Sequence, residues 1–353
     1  MHALPPYLGG KRKLCPLIFR EIDRVLPRER WAGRKFLDAF LGGGSVSLYA
    51  KSQGFHVTAC DIALRSIVVG DALIANSRTR LSREDIVAAL ALPDGELTLR
   101  AMPLVPAVFT KNVGRVLDRL LTAADRSLDR AKAALLRLLA IRVAMLAHPM
   151  SQVRAGTAHR ATTGEWESIT PSCLSHYVDA LRLDTPQKLW ALAQKTNAGV
   201  FPGHGEVHQG SVLEALPSVR ADIAYFDPPY SGVMSYEKEY RIIDRLLEGT
   251  TRETSPFTAR DGAAMIDTLL ERAGHIPIWV LSFGNATVSL EDLEMKMTRL
   301  GRRTKAIAIR YQHLPAVATT EKKQVNREYL LIGVDPATTL PVRLGDVRSE
   351  EAA

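Results

Sequence analysis

Asp227-Pro228-Pro229-Tyr230 directly follows the apolar run Ala221–Phe226, so a carboxylate, two prolines and an aromatic ring stand where a buried strand ends. Open α/β sheets bind their ligands at the carboxyl ends of such strands. The prolines fix φ and remove two backbone donors, leaving carbonyls with nothing nearby to compete for them. Such a segment accepts hydrogen bonds from an NH₂ group. An amino nitrogen on a nucleobase is a poor nucleophile because its lone pair is delocalised into the ring. If the Asp227 carboxylate and the Pro228 carbonyl each accept one N–H, the nitrogen moves towards a tetrahedral state, and Tyr230 can stack on the flat base. The structural alternative is a Pro-Pro turn that needs no ligand.

An electrophile must be held nearby. Phe36-Leu37-Asp38-Ala39-Phe40-Leu41-Gly42-Gly43-Gly44-Ser45 reads as a strand running through a glycine turn into a helix, the arrangement a nucleotide-type cofactor requires. Asp61 ends the next apolar run, Phe55–Cys60, at the distance where an acidic residue accepts hydrogen bonds from ribose hydroxyls. Each feature alone also occurs in proteins without a ligand. Together they suggest an adenosine cofactor. Nothing resembles a phosphate-binding Lys-Ser/Thr sequence, and hydride transfer would leave Asp227–Tyr230 unexplained, whereas S-adenosylmethionine fits both halves.

The elements that would position these groups follow from periodicity. Lys35–Phe40, Phe55–Cys60, Ala221–Phe226, Ile276–Phe283, Lys305–Gln312 and Asn326–Val334 read as strands. Ser45–Gln53, Leu64–Ala75, Tyr236–Leu247, Ala263–Ala273 and Leu290–Leu300 read as helices. Their alternation predicts an α/β, Rossmann-like fold with a mainly parallel sheet. The long gap between Asp61 and Ala221 interrupts it with a helical insertion. There, Leu128–His148 puts Leu128, Ala131, Leu135, Leu138, Leu139, Met145 and Leu146 on one face and Arg130 and Arg137 on the other. Pro149–Pro171 is expected to be an exposed loop or hairpin, and Ser175–Lys195 a returning helix. The expected division is a catalytic domain over 1–75 and 200–335, an inserted target-recognition domain over 76–199, and a flexible tail over 336–353.

The net charge of +8 is concentrated in the insertion, since residues 100–200 carry 14 Lys/Arg against 7 Asp/Glu. A local cationic excess suits a polyphosphate partner, although a solvated basic helix would show the same count. Cys15, Cys60 and Cys173 have neither disulfide nor zinc spacing, so reduced thiols and no metal are expected. With no apolar run of membrane-spanning length and no signal pattern, a cytoplasmic protein without a membrane role is expected.

On these motifs the chain resembles the D12 class of N6-adenine DNA methyltransferases, the group that includes Dam. Pro6-Tyr7-Leu8-Gly9-Gly10-Lys11 resembles that family's N-terminal aromatic-x-Gly-Gly-Lys motif, Asp38–Ser45 its first cofactor motif, Asp61-Ile62 its ribose motif and Asp227–Tyr230 its catalytic motif. Gly164-Glu165-Trp166 with Pro171 is similar to its recognition hairpin, and Ile278–Phe283 and Asn326–Ile332 to its later strands. The likeness spans about residues 5–335 in the family's order. Departures are Ala63 where the family often has Asn, Gly210-Ser211 where an acidic residue is common, and Glu167-Ser168 in the hairpin.

The resemblance implies transfer of a methyl group from S-adenosylmethionine to N6 of adenine in double-stranded DNA, with the base flipped out of the stack. It implies Asp227, Pro228, Pro229 and Tyr230 as the catalytic segment, and Tyr7, Lys11, Asp38, Phe40, Gly42, Gly44, Ser45, Asp61 and Asp227 as cofactor contacts. Lys111, Arg115, Arg119, Arg126, Arg130 and Arg137 are candidates for phosphates, and Arg154, Arg160 and Trp166 for a groove. Cytosine-N4 methylation uses a similar pocket but usually begins its motif with Ser, and amide methyltransferases usually begin theirs with Asn. A catalytically silent DNA-binding protein of this fold is a further alternative. No endonuclease-type cluster accompanies the motifs, so any restriction activity is expected on another chain.

Overall fold

A computed structural model describes residues 2–7, 9–147, 183–229, 236–248, 255–258, 262–284, 289–309, 328–343 and 351–352. Tyr230, Arg154, Arg160 and Trp166 lie outside the described residues, as do Cys173 and the expected hairpin Pro149–Pro171.

Along the chain the helices are α1 (Cys15–Val25), α2 (Ser45–Ser52), α3 (Leu64–Val69), α4 (Arg83–Leu90), α5 (Lys111–Arg126), α6 (Arg130–Ala147) and α7 (Pro186–Asn197). After these come α8 (Val212–Ala215), α9 (Tyr236–Glu248), α10 (Gly262–Arg272) and α11 (Leu290–Arg299). The strands are β1 (Lys35–Asp38), β2 (His56–Asp61), β3 (His204–Gln209), β4 (Ile223–Phe226), β5 (Ile278–Gly284), β6 (Arg303–Ile309), β7 (Glu328–Val334) and β8 (Glu351–Ala352). The chain forms two compact units. One comprises Tyr7–Ile62, Gly203–Val233 and Glu253–Ala353; the other comprises Met1–Pro6, Ala63–Pro202 and Met234–Arg252.

The first unit is built on one sheet of order β3-β2-β1-β4-β5-β7-β6-β8. Strands β1 to β5 pair in parallel, while β7 runs antiparallel between β5 and β6. This is the Rossmann-like α/β sheet that the alternation predicts. The chain leaves β1 for β2 on one side and returns to β4 on the other, so the switch point falls between the ends of β1 and β4. Phe36 points to one face, where Phe19, Trp31 and Phe55 pack with ring centroids 5.3 to 6.2 Å apart. Leu37 points to the other, against Leu269, Leu281, Phe283 and Met297. Strand β3, absent from the expected set, is the edge strand: His204-Gly205-Glu206-Val207-His208-Gln209 has no apolar face because half or more of each alternate position meets solvent. Of the residues expected as a tail, Arg343 donates its backbone N–H to Val25 at 2.7 Å and Glu351–Ala352 pair with Ala308–Ile309.

The second unit is helical. Its central element, α6, buries Leu135, Leu136, Leu138, Leu139, Ile141 and Val143, which together surround the helix. The expected basic outer face is therefore narrow. Leu128, expected on the apolar face, is fully exposed, because the Asp129 carboxylate accepts the Ala131 and Lys132 N–H groups at 2.9 and 3.1 Å and starts the helix after it. Helix α5 packs antiparallel beside α6 on Val113, Val116, Leu117, Leu120 and Leu121. Buried Asp118 accepts the N–H groups of Arg100, Ala101 and Met102 at 2.8, 2.7 and 3.1 Å, which fixes the segment entering that hairpin. Leu64–Ala75 is helical as expected but passes at Gly70 into a wider π-helical turn.

Candidate active site

The glycine turn after β1 is shaped by what packs on it. Gly42 (φ +50°) and Gly44 (φ +76°) take the left-handed conformation that L side chains resist. At Gly43 the constraint is space, because a Cβ there would lie 2.5 Å from the Tyr7 Cβ and 2.8 Å from its Cγ. Tyr7 itself is held by a turn in which its carbonyl accepts the Gly10 N–H at 3.1 Å. Asp61, at the end of β2, accepts the Gly42 N–H at 2.8 Å. Ser45 begins α2 and is buried, and Phe40 meets Phe257 edge-on at 5.0 Å. Tyr7, Phe40, Gly42, Gly44, Ser45 and Asp61 thus converge on one turn.

Gly43→Ala should open that turn by displacing Tyr7. We expect a loss of about 1–3 kcal/mol of stability, as for other overpacked sites, and weaker binding of the nucleotide-type ligand. Thermal unfolding and equilibrium binding check both; an unchanged melting temperature would show that Tyr7 is not pinned there.

Asp38 lies at the end of β1, fully buried. Its Oδ2 accepts the Ser47 hydroxyl at 2.6 Å, whereas Oδ1 meets no hydrogen-bond donor among the described residues. Burial pushes its pKa up to about 7, Ser47 holds it back, and the neighbouring Asp227 and Asp61 charges add to the rise. A buried carboxylate oxygen without a donor is costly unless a ligand supplies one. An ammonium group is the donor best suited to it.

Asp227 stands one residue beyond β4 and is bound by Lys11 at 2.8 Å. The Lys11 ammonium is itself buried and has two further acceptors, Gly9 O at 3.3 Å and the Glu328 carboxylate at 3.2 Å. Glu328 opens β7, is fully buried, and also accepts the Ser282 hydroxyl of β5 at 2.7 Å. The Tyr225 hydroxyl, on β4, has its pKa raised well above the ordinary value, by burial and then by the Asp227 charge. Lys11 was expected as a cofactor contact; its described partners include two protein carboxylates. Glu328, Ser282 and Tyr225 were not anticipated as site residues. One signal was available: a glutamate opening Glu328-Tyr-Leu-Leu-Ile-Gly-Val and a serine inside Trp-Val-Leu-Ser-Phe each interrupt a buried apolar run.

In the helical unit, Arg115 and Arg119 both reach Asp94 at 3.1 Å, Arg126 reaches Glu96 at 2.7 Å, and Arg137 reaches Asp125 at 3.1 Å. Arg119 and Arg126 also donate to the Leu92 and Glu96 carbonyls. Arg115, Arg119 and Arg126 fasten the segment before α5 to the hairpin, and Arg137 ties α6 to α5. Lys111 and Arg130 are exposed at opposite ends of the hairpin.

Sequence comparison bears directly on the glycine turn. The sequence model of the D12 class of N6 adenine-specific DNA methyltransferases matches residues 7–96, from Tyr7 through Lys11, Asp38–Ser45 and Asp61. Over this segment the chain is similar to the D12 class. Those residues hold the turn, its Tyr7 cover and the Asp61 contact, so the matched segment coincides with the converging geometry. The chain is also similar to Type II methyltransferase M2.HphI of Haemophilus parahaemolyticus, with 26% identity over 347 residues, 92% of this chain and 96% of that protein. A solved structure, the rRNA methyltransferase aviRa from Streptomyces viridochromogenes, aligns over 91% of this chain and 84% of its own at 10% identity and a TM-score of 0.31, a likeness too slight to carry an argument. The matched family and the Type II relative together support activity as an adenine-specific DNA methyltransferase.

Proposed function

We propose that the chain transfers a methyl group from S-adenosylmethionine to N6 of an adenine flipped out of double-stranded DNA, at a specific sequence. The observation that carries this reading is a carboxylate, Asp227, fixed by Lys11 just past β4, in the same compact unit as the glycine turn and Asp38. The residues suit the cofactor. The turn at Gly42–Gly44 allows close backbone approach, Asp61 stands ready for ribose hydroxyls, Phe40 offers an apolar edge, and the Asp38 Oδ1 lacks a donor. When bound, S-adenosylmethionine supplies an electrophilic methyl group on a sulfonium.

Asp227 and the Pro228 carbonyl accept the two N–H groups of the base, drawing the nitrogen lone pair out of conjugation. Tyr230 stacks on the base. Positioning and electrostatics suffice, since the methyl group is already activated and the proton can leave to water afterwards. The helical insertion holds the DNA through Lys111, Arg130 and those arginines that exchange an acidic partner for a phosphate, with Arg154, Arg160 and Trp166 as the readers. A restriction endonuclease, where one is paired with the enzyme, would be a separate chain, in keeping with the Type II methyltransferase relative.

Asp38 gives this reading a pH dependence. With its pKa near 7, the carboxyl is mostly protonated at pH 6 and mostly ionised at pH 8. Only the ionised form accepts fully from the cofactor's ammonium. Affinity should therefore rise about tenfold from pH 6 to pH 8, and Asp38→Asn should flatten the profile. Calorimetry across that range checks it, and a flat profile for the unaltered protein would detach Asp38 from the cofactor.

The reaction is tested by methylation-aware sequencing of DNA from cells expressing the chain. N6-methyladenine at one recurring site supports the proposal. N4-methylcytosine, or unmodified DNA that the protein still binds, would replace it with one of the alternatives.

A further inference from the structure

We propose that Glu328 is a positioning residue for methyl transfer, acting through Lys11 on Asp227. The proposal deepens the methyl-transfer reading and rests on it for its rate measurement.

Glu328 is fully buried at the start of β7, far in sequence from Lys11 and from Asp227. A buried carboxylate costs several kcal/mol of desolvation unless donors compensate it. Ser282 and Lys11 are those donors, at 2.7 and 3.2 Å. A hydrophobic residue would fill this place in β7 at lower cost, as Leu330, Leu331 and Ile332 do along the same strand. The placement gains meaning from what Lys11 does next. An ammonium has three N–H groups, and the acceptors around Lys11 include Gly9 O, Glu328 and Asp227. Two of them are anchored in the sheet and the N-terminal turn, so together they aim the third N–H at the Asp227 Oδ1.

Charge provides the second part. Lys11, Asp227 and Glu328 taken by themselves are two carboxylates on one ammonium, a net charge of about −1. When a methyl group joins the amino nitrogen, positive charge develops on the base before its proton leaves. A fixed negative cluster stabilises that charge without reorganising. Without Glu328 the cluster becomes neutral, and the ammonium settles wholly on Asp227, taking acceptor capacity the base would use.

The titratable groups facing Lys11 are Asp227 and Tyr225 at the end of β4, Glu328 on β7 and Cys15 on α1; Asp38 on β1 faces Asp227. Losing one carboxylate makes the ammonium easier to deprotonate. The alkaline limb of activity should therefore move to lower pH.

The test uses the full chain with Glu328→Gln, which keeps an acceptor for Ser282 and removes the charge, and Glu328→Asp, which restores it. Single-turnover methylation of an adenine-containing duplex should slow at least tenfold in Glu328→Gln, with dissociation constants for DNA and S-adenosylmethionine within twofold and the alkaline limb shifted down. Glu328→Asp should recover most of the rate. A Glu328→Gln protein with unaltered rate and alkaline limb overturns the proposal, as does an equal loss in both variants that tracks only their melting temperatures. NMR of the Lys11 side-chain ¹⁵N across pH reads the coupling independently of turnover, and an unchanged protonation midpoint in Glu328→Gln also overturns it. Failure of the unaltered enzyme to methylate adenine would instead sink the methyl-transfer reading, leaving the Lys11 titration to decide Glu328.

Discussion

Asp227→Ala should lower methyl transfer to adenine by at least about a thousandfold, equivalent to roughly 4 kcal/mol of transition-state stabilisation, while leaving DNA affinity within a few fold. The size of the effect follows from the substrate. An exocyclic amino nitrogen has almost no nucleophilicity while its lone pair is conjugated, so the acceptor that withdraws it from conjugation acts only as the reaction proceeds. The selectivity follows from the structure. Asp227 is partly exposed at 19%, and its partner Lys11 keeps a second carboxylate in Glu328, so the variant leaves no buried ammonium without a counter-ion. Folding should survive. Rapid-quench methylation under single-turnover conditions, beside DNA-binding titrations, separates the two effects; a variant that still methylates within tenfold of the unaltered rate would remove Asp227 from the chemistry.

The parts of this molecule legible in its sequence are those written in one stretch of chain. Lys35–Asp38 with its glycines, Asp61 after an apolar run, and Asp227 after another each announce a strand end, and the sheet brings all three strand ends to its carboxyl edge. What escaped is relational. Strand β3 lacks apolar periodicity because an edge strand pairs on one side only. Glu328 looks like a solvated residue at a strand start until β7 is seen to lie between β5 and β6, which buries it beside Ser282 and Lys11. Charge counting misses acidic partners for a similar reason. Residues 100–200 show an excess of cations, but Asp94 and Glu96, which neutralise Arg115, Arg119 and Arg126, lie just before that window. Electrostatic partners need not be neighbours in sequence, so a cationic segment can be a structural clasp. Leu128 shows the corresponding limit for periodicity, since the Asp129 cap outweighs one more apolar residue in fixing where α6 begins.

Lys11→Met should produce a large loss of stability in the sheet unit. The methionine matches the lysine stem in length, so packing changes little, but Asp227 and Glu328 are left without their shared ammonium. Removing one partner of a buried ion pair costs about 3–5 kcal/mol, because the remaining carboxylates lose their shared counter-ion while Glu328 stays buried. For a chain of this size that corresponds to a fall in Tm of the order of 10 °C. The sign of the pH dependence is diagnostic. Loss of the ammonium raises the folded-state pKa of the Glu328 and Asp227 carboxyls above their unfolded values, so the penalty is complete at alkaline pH and shrinks as the pH falls and the pair takes up a proton. The Tm gap between Lys11→Met and the unaltered protein should be widest at pH 8 and narrower at pH 5. A solvated surface lysine would cost under about 0.5 kcal/mol at either pH, so a small gap independent of pH would place Lys11 outside the buried cluster. A wide gap that closes on acidification would identify the uncompensated carboxylates as its cause, since lost packing contacts carry no proton.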